Sequence, residues 1–272
     1  MSSFLFRNKA SKVGTAIIFA FIVLIVLGPF LSPYGPNDTS SLKHNPPSFA
    51  HPFGTDWLGH DVLTQVIYGA YPSLLVGVVV AVGAIVLGVI VGVLAGYYRK
   101  SEAFLIGSAD VVLTFPPLPL MILLGTLYPA TTVLIVGILI VVLWPVSARA
   151  IRSQVLSLKE RPYVESSKTN GMTNFQVITK IMIPEISSLA VAYFVLTVAA
   201  AIVLVTALQF LGVGNPNEVS WGSILYWGQQ FAFYNGDWWW IVAPGAAITL
   251  AAMAFALLGF SIEEVMNPRL RE

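Results

Sequence analysis

Residues 74–98 of this 272-residue chain read LLVGVVVAVGAIVLGVIVGVLAGYY and contain no charged side chain. A helix of about 20 apolar residues, rising about 1.5 Å per residue, is long enough to cross a hydrocarbon core of about 30 Å. The stretch therefore predicts a membrane-spanning helix.

The composition of the whole chain agrees with a membrane protein. Hydrophobic residues make up 57% of the chain and charged residues 10%, against about 25% charged residues in soluble domains. The net charge of +1 gives no support to nucleic acid as a partner. The absence of cysteine excludes disulfides, thiol catalysis and cysteine-based metal sites.

Uncharged runs elsewhere predict the other membrane spans. Three runs hold one crossing each, at 13–31, 189–213 and 239–262. The run at 111–148 is too long for one helix and is interrupted at 128–132, so we predict two spans there, at 103–127 and 131–150. With the stretch at 74–98 this makes six spans. A cleaved signal peptide is disfavoured, because the first apolar run is long and no small-residue cleavage site follows it.

The placement of basic residues decides between five and six spans. With six spans and both termini in the cytoplasm, only Lys43 of the 14 lysines and arginines lies outside. Five spans would place either the Arg149–Lys180 cluster or the Arg99 and Lys100 pair on the wrong side, so the positive-inside rule favours six. The other segments are then cytoplasmic termini at 1–12 and 263–272, external loops at 32–73 and 214–238, and a cytoplasmic loop at 151–188.

The external loop at 32–73 is predicted to be irregular up to Pro52 and to end in an amphipathic helix that begins at Asp61. Its apolar face is expected to lie on the membrane surface or on the first span. That face comprises Val62, Leu63, Val66, Ile67, Ala70 and Tyr71. The three histidines of this loop, His44, His51 and His60, match no metal signature, and we expect them to be solvated.

The cytoplasmic loop has the pattern of two short helices joined by a tight turn. Gly171 suits a position just beyond a helix end with positive φ, and Thr173 with Gln176 has capping-box spacing for a second helix. Pro184 is expected to end that helix before the next span. The second helix carries an apolar stripe of Phe175, Ile178 and Met182, flanked by Val177 and Ile181. An apolar stripe must be buried against another surface. The pattern alone leaves open whether that surface is lipid, the protein's own helix ends or a cytoplasmic partner.

The same loop resembles the EAA loop of ABC importer permeases, whose pattern is Glu-Ala-Ala-x₃-Gly-x₉-Ile-x-Leu-Pro. The chain matches this pattern in register at Glu165, Gly171, Ile181 and Pro184. It differs in having Ser166 and Ser167 in place of the alanines and Ile183 in place of the leucine. Other stretches are similar, in the same order, to the second ("C"-type) permease subunit of the oligopeptide/dipeptide family. They are 51–61, Asp110 with 115–116, 211–214, 220–222 and 267–271.

The resemblance implies an all-α, polytopic type I importer permease in the cell membrane, one half of a heterodimeric pore. Its implied partners are a paralogous permease subunit, two nucleotide-binding ATPase subunits and an extracytoplasmic solute-binding protein. Peptides are the implied solute, with oligosaccharides or nickel as alternatives. The loop would be the site of ATPase coupling, formed by Glu165, Ser166, Ser167, Gly171, Met172, Thr173, Ile181 and Pro184.

ATP is not expected to bind to this chain. No Gly-x₄-Gly-Lys-[Ser/Thr] phosphate loop occurs in it. We therefore expect no cofactor and no enzymatic activity in this subunit, with ATP and Mg²⁺ bound by the partner ATPases.

Within the third span, Asp110 is a functional candidate because ionisable groups are costly in lipid. The alternative is that it bonds to a neighbouring helix and fixes assembly. Pro116 and Pro117, followed by Pro119, predict a kink or an unwound turn there. The kink either shapes the solute pathway or serves packing.

Residues near the external ends of the last two spans are candidates for docking the solute-binding protein. They are Glu218, Asp237 and Trp221. The tryptophans of this region also fit an aromatic belt at the membrane interface.

Two other classes of protein remain as alternatives. An ion-coupled secondary transporter would need charged groups in its spans, and Asp110 is the one acid available there. A membrane scaffold without transport activity would not need the coupling loop.

Overall fold

The computed structural model describes residues 9–39, 42–127 and 131–266, and all regular elements within these ranges are helical. Residues 128–130 of the predicted interruption at 128–132 lie outside these ranges, as does the motif at 267–271. The helices are α1 (Lys9–Leu31), α2 (Val62–Tyr97), α3 (Arg99–Thr114), α4 (Pro117–Leu127), α5 (Thr132–Lys159), α6 (Pro162–Thr169), α7 (Asn174–Val177), a π-helical turn (Ile178–Met182), α8 (Ile183–Phe210), α9 (Trp221–Asn235) and α10 (Trp238–Met266).

The described residues contain five helices long and apolar enough to cross a membrane. They are α1, α2, α5, α10 and the continuous helix from α7 through α8. Helices α3 and α4 make a sixth crossing if the pair is counted as one span. The predicted all-α, multi-pass architecture is confirmed.

The break between α3 and α4 lies where the prolines predict it. The two helices are bent by 89° relative to each other. Phe115 has extended backbone angles, φ −87° and ψ 135°, which is the conformation that a following proline favours. Pro117 then occupies the first position of α4, where its missing N–H leaves no helix bond unmade.

Helix α2 is longer than the predicted span at 74–98. It begins at Val62 and runs for 36 residues, so the expected amphipathic helix is no separate element. Val62, Val66 and Ala70 are buried in a cluster that includes Phe21 of α1, whereas Tyr71 is exposed. The buried residues of this face therefore make the predicted contact with the first span.

Helix α2 is also the centre of the bundle. Near its start it packs in a cluster with Trp221 and Trp240, and midway in another with Leu139 of α5. Near its end it packs in a cluster with Ile151 and Met182. One helix thus connects the two ends of the molecule.

Helices α2 and α5 approach each other closely through a glycine stripe at i, i+4 and i+8. A β-carbon at Gly88 would lie 2.0 Å from Ser147 Oγ, one at Gly92 2.7 Å from the Ala148 carbonyl oxygen, and one at Gly96 2.8 Å from Val155 Cβ. Small residues at such positions let helix backbones pack closely in lipid, where no hydrophobic effect drives helices together.

We expect Gly92→Ala to destabilise the protein by about 1–3 kcal/mol, the cost typical of overpacking. The added methyl group would lie 2.7 Å from a backbone oxygen and 2.9 Å from Ile151 Cβ, so the helices must separate. The measurement is the apparent melting temperature of the purified chain in detergent. Gly137→Ala is the control, because nothing lies within 4 Å of a β-carbon there. Equal melting temperatures for the two variants would contradict the role of the stripe.

Candidate functional site

Residues 160–184, which we call the elbow, contain the predicted coupling loop. Helix α6 starts with Pro162 at its first turn and ends at a turn in which Gly171 has φ +87°. The backbone N–H of Gly171 donates to the Lys168 oxygen (3.0 Å) and that of Met172 to the Ser167 oxygen (3.1 Å). These two bonds form a Schellman motif with glycine in the left-handed position, as the sequence predicts for Gly171.

The second helix of the elbow starts with the predicted capping box. Thr173 Oγ1 accepts from the Gln176 N–H at 3.3 Å, and Gln176 Oε1 accepts from the Thr173 N–H at 2.9 Å. The two side chains thereby satisfy donors at the helix start that would otherwise lack partners.

The expectation that Pro184 ends this helix is wrong. The helix is continuous from Asn174 to Phe210, and the π-helical turn ends at Met182, two residues before Pro184. There the Ile183 N–H donates to the Ile178 oxygen, five residues back. Proline in an ordinary helix clashes with the carbonyl group four residues earlier, and the wider π turn shifts the hydrogen-bond register before that clash can arise.

The inner face of the elbow is covered by the protein's own helix ends. Val164, Val177 and Met182 are fully buried in a cluster with Ile151 and Val155 of α5. This outcome corresponds to one of the alternatives that the sequence left open for the apolar stripe.

Phe175, which we predicted to belong to the stripe, is 74% exposed instead. Tyr163, in the first turn of α6, is 45% exposed. The elbow therefore has a buried aliphatic side and an outer side with aromatic rings.

Tyr97, at the end of α2, fixes the elbow to the bundle. Its hydroxyl donates to Asn174 Oδ1 at 2.7 Å, and Lys168 Nζ lies 4.8 Å from the centre of its ring. Lys159 Nζ donates to its carbonyl oxygen at 2.8 Å. This role of Tyr97 could not be predicted from the sequence, because no local pattern relates Tyr97 to Asn174, 77 positions later.

The predicted coupling residues divide by exposure. Exposed are Glu165, Ser166, Gly171, Thr173 and Pro184, and partly buried are Ser167, Met172 and Ile181. The Glu165 carboxylate forms no ion pair within the described residues. The outer side of the elbow therefore offers the unpaired Glu165 carboxylate next to exposed hydroxyl groups.

Asp110 contacts a neighbouring helix. Arg149 of α5 donates from Nε to Asp110 Oδ1 at 3.1 Å, and both side chains are about half exposed. A second ion pair, Arg152 with Glu102, joins the same two helices. The structure therefore contains the contact with a neighbouring helix that the assembly role of Asp110 requires.

The histidines of residues 42–61, a segment that we call the cap, are not all solvated as expected. His51 and His60 are buried. Their Nδ1 atoms lie 2.9 Å from Asp61 Oδ1 and 2.7 Å from Asp56 Oδ2. The expectation was wrong because buried carboxylates, one of which also caps α2, supply the partners that water would have supplied. The described residues hold no cluster of three or more potential metal ligands.

Two of the three docking candidates are inaccessible in this structure. Trp221 is fully buried, with its indole N–H donating to the Val66 oxygen at 2.9 Å. Asp237 is 2% exposed and bonded to His44. Glu218 is exposed and accepts a hydrogen bond from Thr132 Oγ1 at 2.8 Å. Of the three candidates, only Glu218 has an exposed side chain.

Comparison with protein families and curated proteins gives long matches. Residues 84–272 match the model for the binding-protein-dependent transport system inner membrane component, and residues 4–52 match the N-terminal TM domain of oligopeptide transport permease C. A dipeptide transport system permease protein of Bacillus subtilis is 37% identical over 268 residues, covering 97% of this chain and 83% of the relative. A putative peptide transport system permease protein of Brucella abortus is 34% identical over 271 residues, covering 98% and 90%.

The first family model covers well over half of the chain, and these relatives align along almost all of it. Together with the bundle of apolar helices, they show that the chain belongs to the binding-protein-dependent transport system inner membrane components, the multi-pass permease family of ABC importers.

Proposed function

We propose that this chain is the permease subunit of an ATP-driven importer of di- or oligopeptides. It forms the translocation pathway with a paralogous permease and receives its solute from an extracytoplasmic binding protein. The proposal of peptide as solute is supported by relatives that are named as dipeptide or peptide permeases and match along nearly the whole chain. ATP and Mg²⁺ are bound by partner ATPase subunits, and this chain does no chemistry itself.

The elbow end of the bundle faces the cytoplasm in this proposal. Helix α1 packs along α10, with Gly14 against Ala254. The start of α1 and the end of α10 therefore lie at the end of the bundle opposite the cap. Of the lysines and arginines among the described residues, only Lys43 is at the cap end. The positive-inside rule therefore supports a cytoplasmic elbow, with both termini on the same side.

The observation that carries the coupling proposal is the two-sided elbow. Its buried side chains Val164, Val177 and Met182 share one cluster with α2 and α5. Because close-packed cores transmit displacement, a partner that moves the outer side of the elbow moves the ends of two spans. Rigid-body movement of this kind is a recognised route to alternating access.

The α3–α4 pair is the proposed contact with the paralogous permease. It carries exposed apolar side chains, among them Phe104 (79%), Val111 (60%) and Leu123 (57%). A second permease would cover this face, and the pathway would run beside the break at Phe115. The pairing of Asp110 with Arg149 weighs against an ion-coupled transporter, because that acid already has a cationic partner.

We expect cysteines placed at the two ends of the bundle to react with a thiol reagent from opposite sides of the membrane. Asn217 and Ser157 are both exposed, and the native chain contains no cysteine. An impermeant maleimide added to intact cells should label Asn217→Cys and should label Ser157→Cys only after permeabilisation. Labelling of Ser157→Cys in intact cells would overturn the orientation.

We expect Gly171→Val to reduce ATP-dependent uptake sharply, because a β-branched residue adopts φ +87° only at considerable cost. Gly171→Asn is the matched control, since asparagine tolerates this conformation far better. The measurement is uptake of labelled dialanine into vesicles containing the permeases, the ATPases and the binding protein. Equal uptake by both variants would contradict the coupling role. Accumulation of maltotriose instead of dialanine by the wild type would contradict the peptide assignment.

Glu165→Ala should weaken retention of the ATPase subunits during purification. Its exposed carboxylate has no ion-pair partner among the described residues, and removing one member of a buried interfacial charge pair costs about 2–5 kcal/mol. Glu160→Ala is the matched control, because Glu160 is also exposed but lies at the end of α5, before the predicted motif. The same loss of ATPase from both variants would count against a specific contact by Glu165.

A further inference from the structure

A cavity of about 450 Å³ lies at the cap end of the bundle, far from the elbow. It is partly open and lies between the cap and the segment 214–240. Cavities of about 300–1,000 Å³ are typical of small-molecule sites, so a ligand the size of a dipeptide fits. Neither the coupling proposal nor the pore proposal uses this cavity.

The wall of the cavity is acidic and aromatic. It contains the carboxylates of Asp56 and Glu218, and no lysine or arginine among the described residues lines it. Three indole rings complete it, those of Trp57, Trp227 and Trp240. Carboxylates attract cations, and the faces of tryptophan rings bind ammonium and guanidinium groups through their quadrupole.

His60 also lines this cavity. Its Nδ1 lies 2.7 Å from Asp56 Oδ2, and Asp56 Oδ1 accepts the backbone N–H groups of Leu58 and His60 at 2.8 Å each. A neutral imidazole that donates from Nδ1 carries its lone pair on Nε2. No hydrogen bond within the described residues occupies Nε2, so in this form of the ring Nε2 can accept a hydrogen bond from a ligand.

The aromatic part of the wall is held in place before any ligand arrives. Trp57 stacks on Phe231 with ring centres 4.6 Å apart and lies 5.9 Å from Trp227. The Trp227 indole N–H donates to the Pro216 oxygen at 3.0 Å. A wall fixed in this way loses little conformational entropy on binding.

We propose that this cavity binds the cationic group of a short peptide, an ammonium or guanidinium group. The carboxylate of Glu218 supplies the opposite charge, a neutral His60 accepts an N–H at Nε2, and the partly exposed indole rings of Trp57 and Trp227 flank the cation. That the cation belongs to a peptide rests on the proposed function. The preference for a cation rests on the lining of the cavity alone.

The test is calorimetric titration of the full chain in lipid nanodiscs with lysyl-lysine. Glu218→Gln, which keeps the shape of the side chain and removes its charge, should weaken binding about tenfold, as expected for loss of one hydrogen bond to a charged group. Glu185→Gln should bind as the wild type does, because Glu185 is an exposed acid at the opposite end of the bundle. Lysyl-lysine acetylated on all its amino groups should bind much more weakly than the free peptide.

Absence of binding by lysyl-lysine would overturn the proposal, as would equal affinity of the two glutamate variants. Equal affinity for the acetylated and free peptides would overturn it as well. The titration needs no ATPase subunit, whereas the uptake measurement does. Intact dialanine uptake together with a negative titration would therefore reject the cation site and leave the proposed function standing.

Discussion

The rest of the structure depends on the close approach of α2 and α5. Inside a membrane, apolar side chains gain nothing by leaving lipid for protein, so helices associate through tight packing and polar contacts. Gly88, Gly92 and Gly96 provide that packing by placing backbone atoms of α2 against α5 without intervening side chains. Every other span packs on this pair or on a helix that does.

The length of α2 explains why both ends of the molecule carry polar networks. A 36-residue helix rising about 1.5 Å per residue is much longer than a hydrocarbon core of about 30 Å. Its two ends therefore extend into the aqueous or interfacial regions. At one end Asp61 caps the helix and holds His51, and at the other Tyr97 bonds to Asn174. Polar contacts at both ends of one helix fix the cap and the elbow to the same element.

Features that depend on neighbouring residues could be predicted from the sequence. The positive φ of Gly171, the capping box at Thr173 and the break before Pro117 each follow from a few consecutive residues, and the structure has all three. The solute and the partners are proposed from the relatives, and the orientation of the bundle from its charge distribution.

Features that depend on distant residues could not be predicted in this way. The burial of His51 and His60 requires carboxylates brought close by the folding of the cap, and the outward direction of Phe175 depends on how the elbow packs. Continuity through Pro184 depends on a π turn for which no sequence signal was available. In each case tertiary packing decided between conformations that the local sequence permits.

The two sides of the elbow bear on how the proposed coupling works. If the apolar stripe were uncovered in the isolated chain, ATPase binding would have to order it, and part of the binding free energy would be spent on folding. Val164, Val177 and Met182 are instead already buried against α2 and α5, while Glu165 and Phe175 face outward. A partner that binds the outer side thus meets a preformed surface, and its movement passes to α2 through contacts that exist before it binds. Because α2 continues to the cap, the proposed coupling would carry a displacement at the elbow end through a single helix toward the end where the proposed solute would enter.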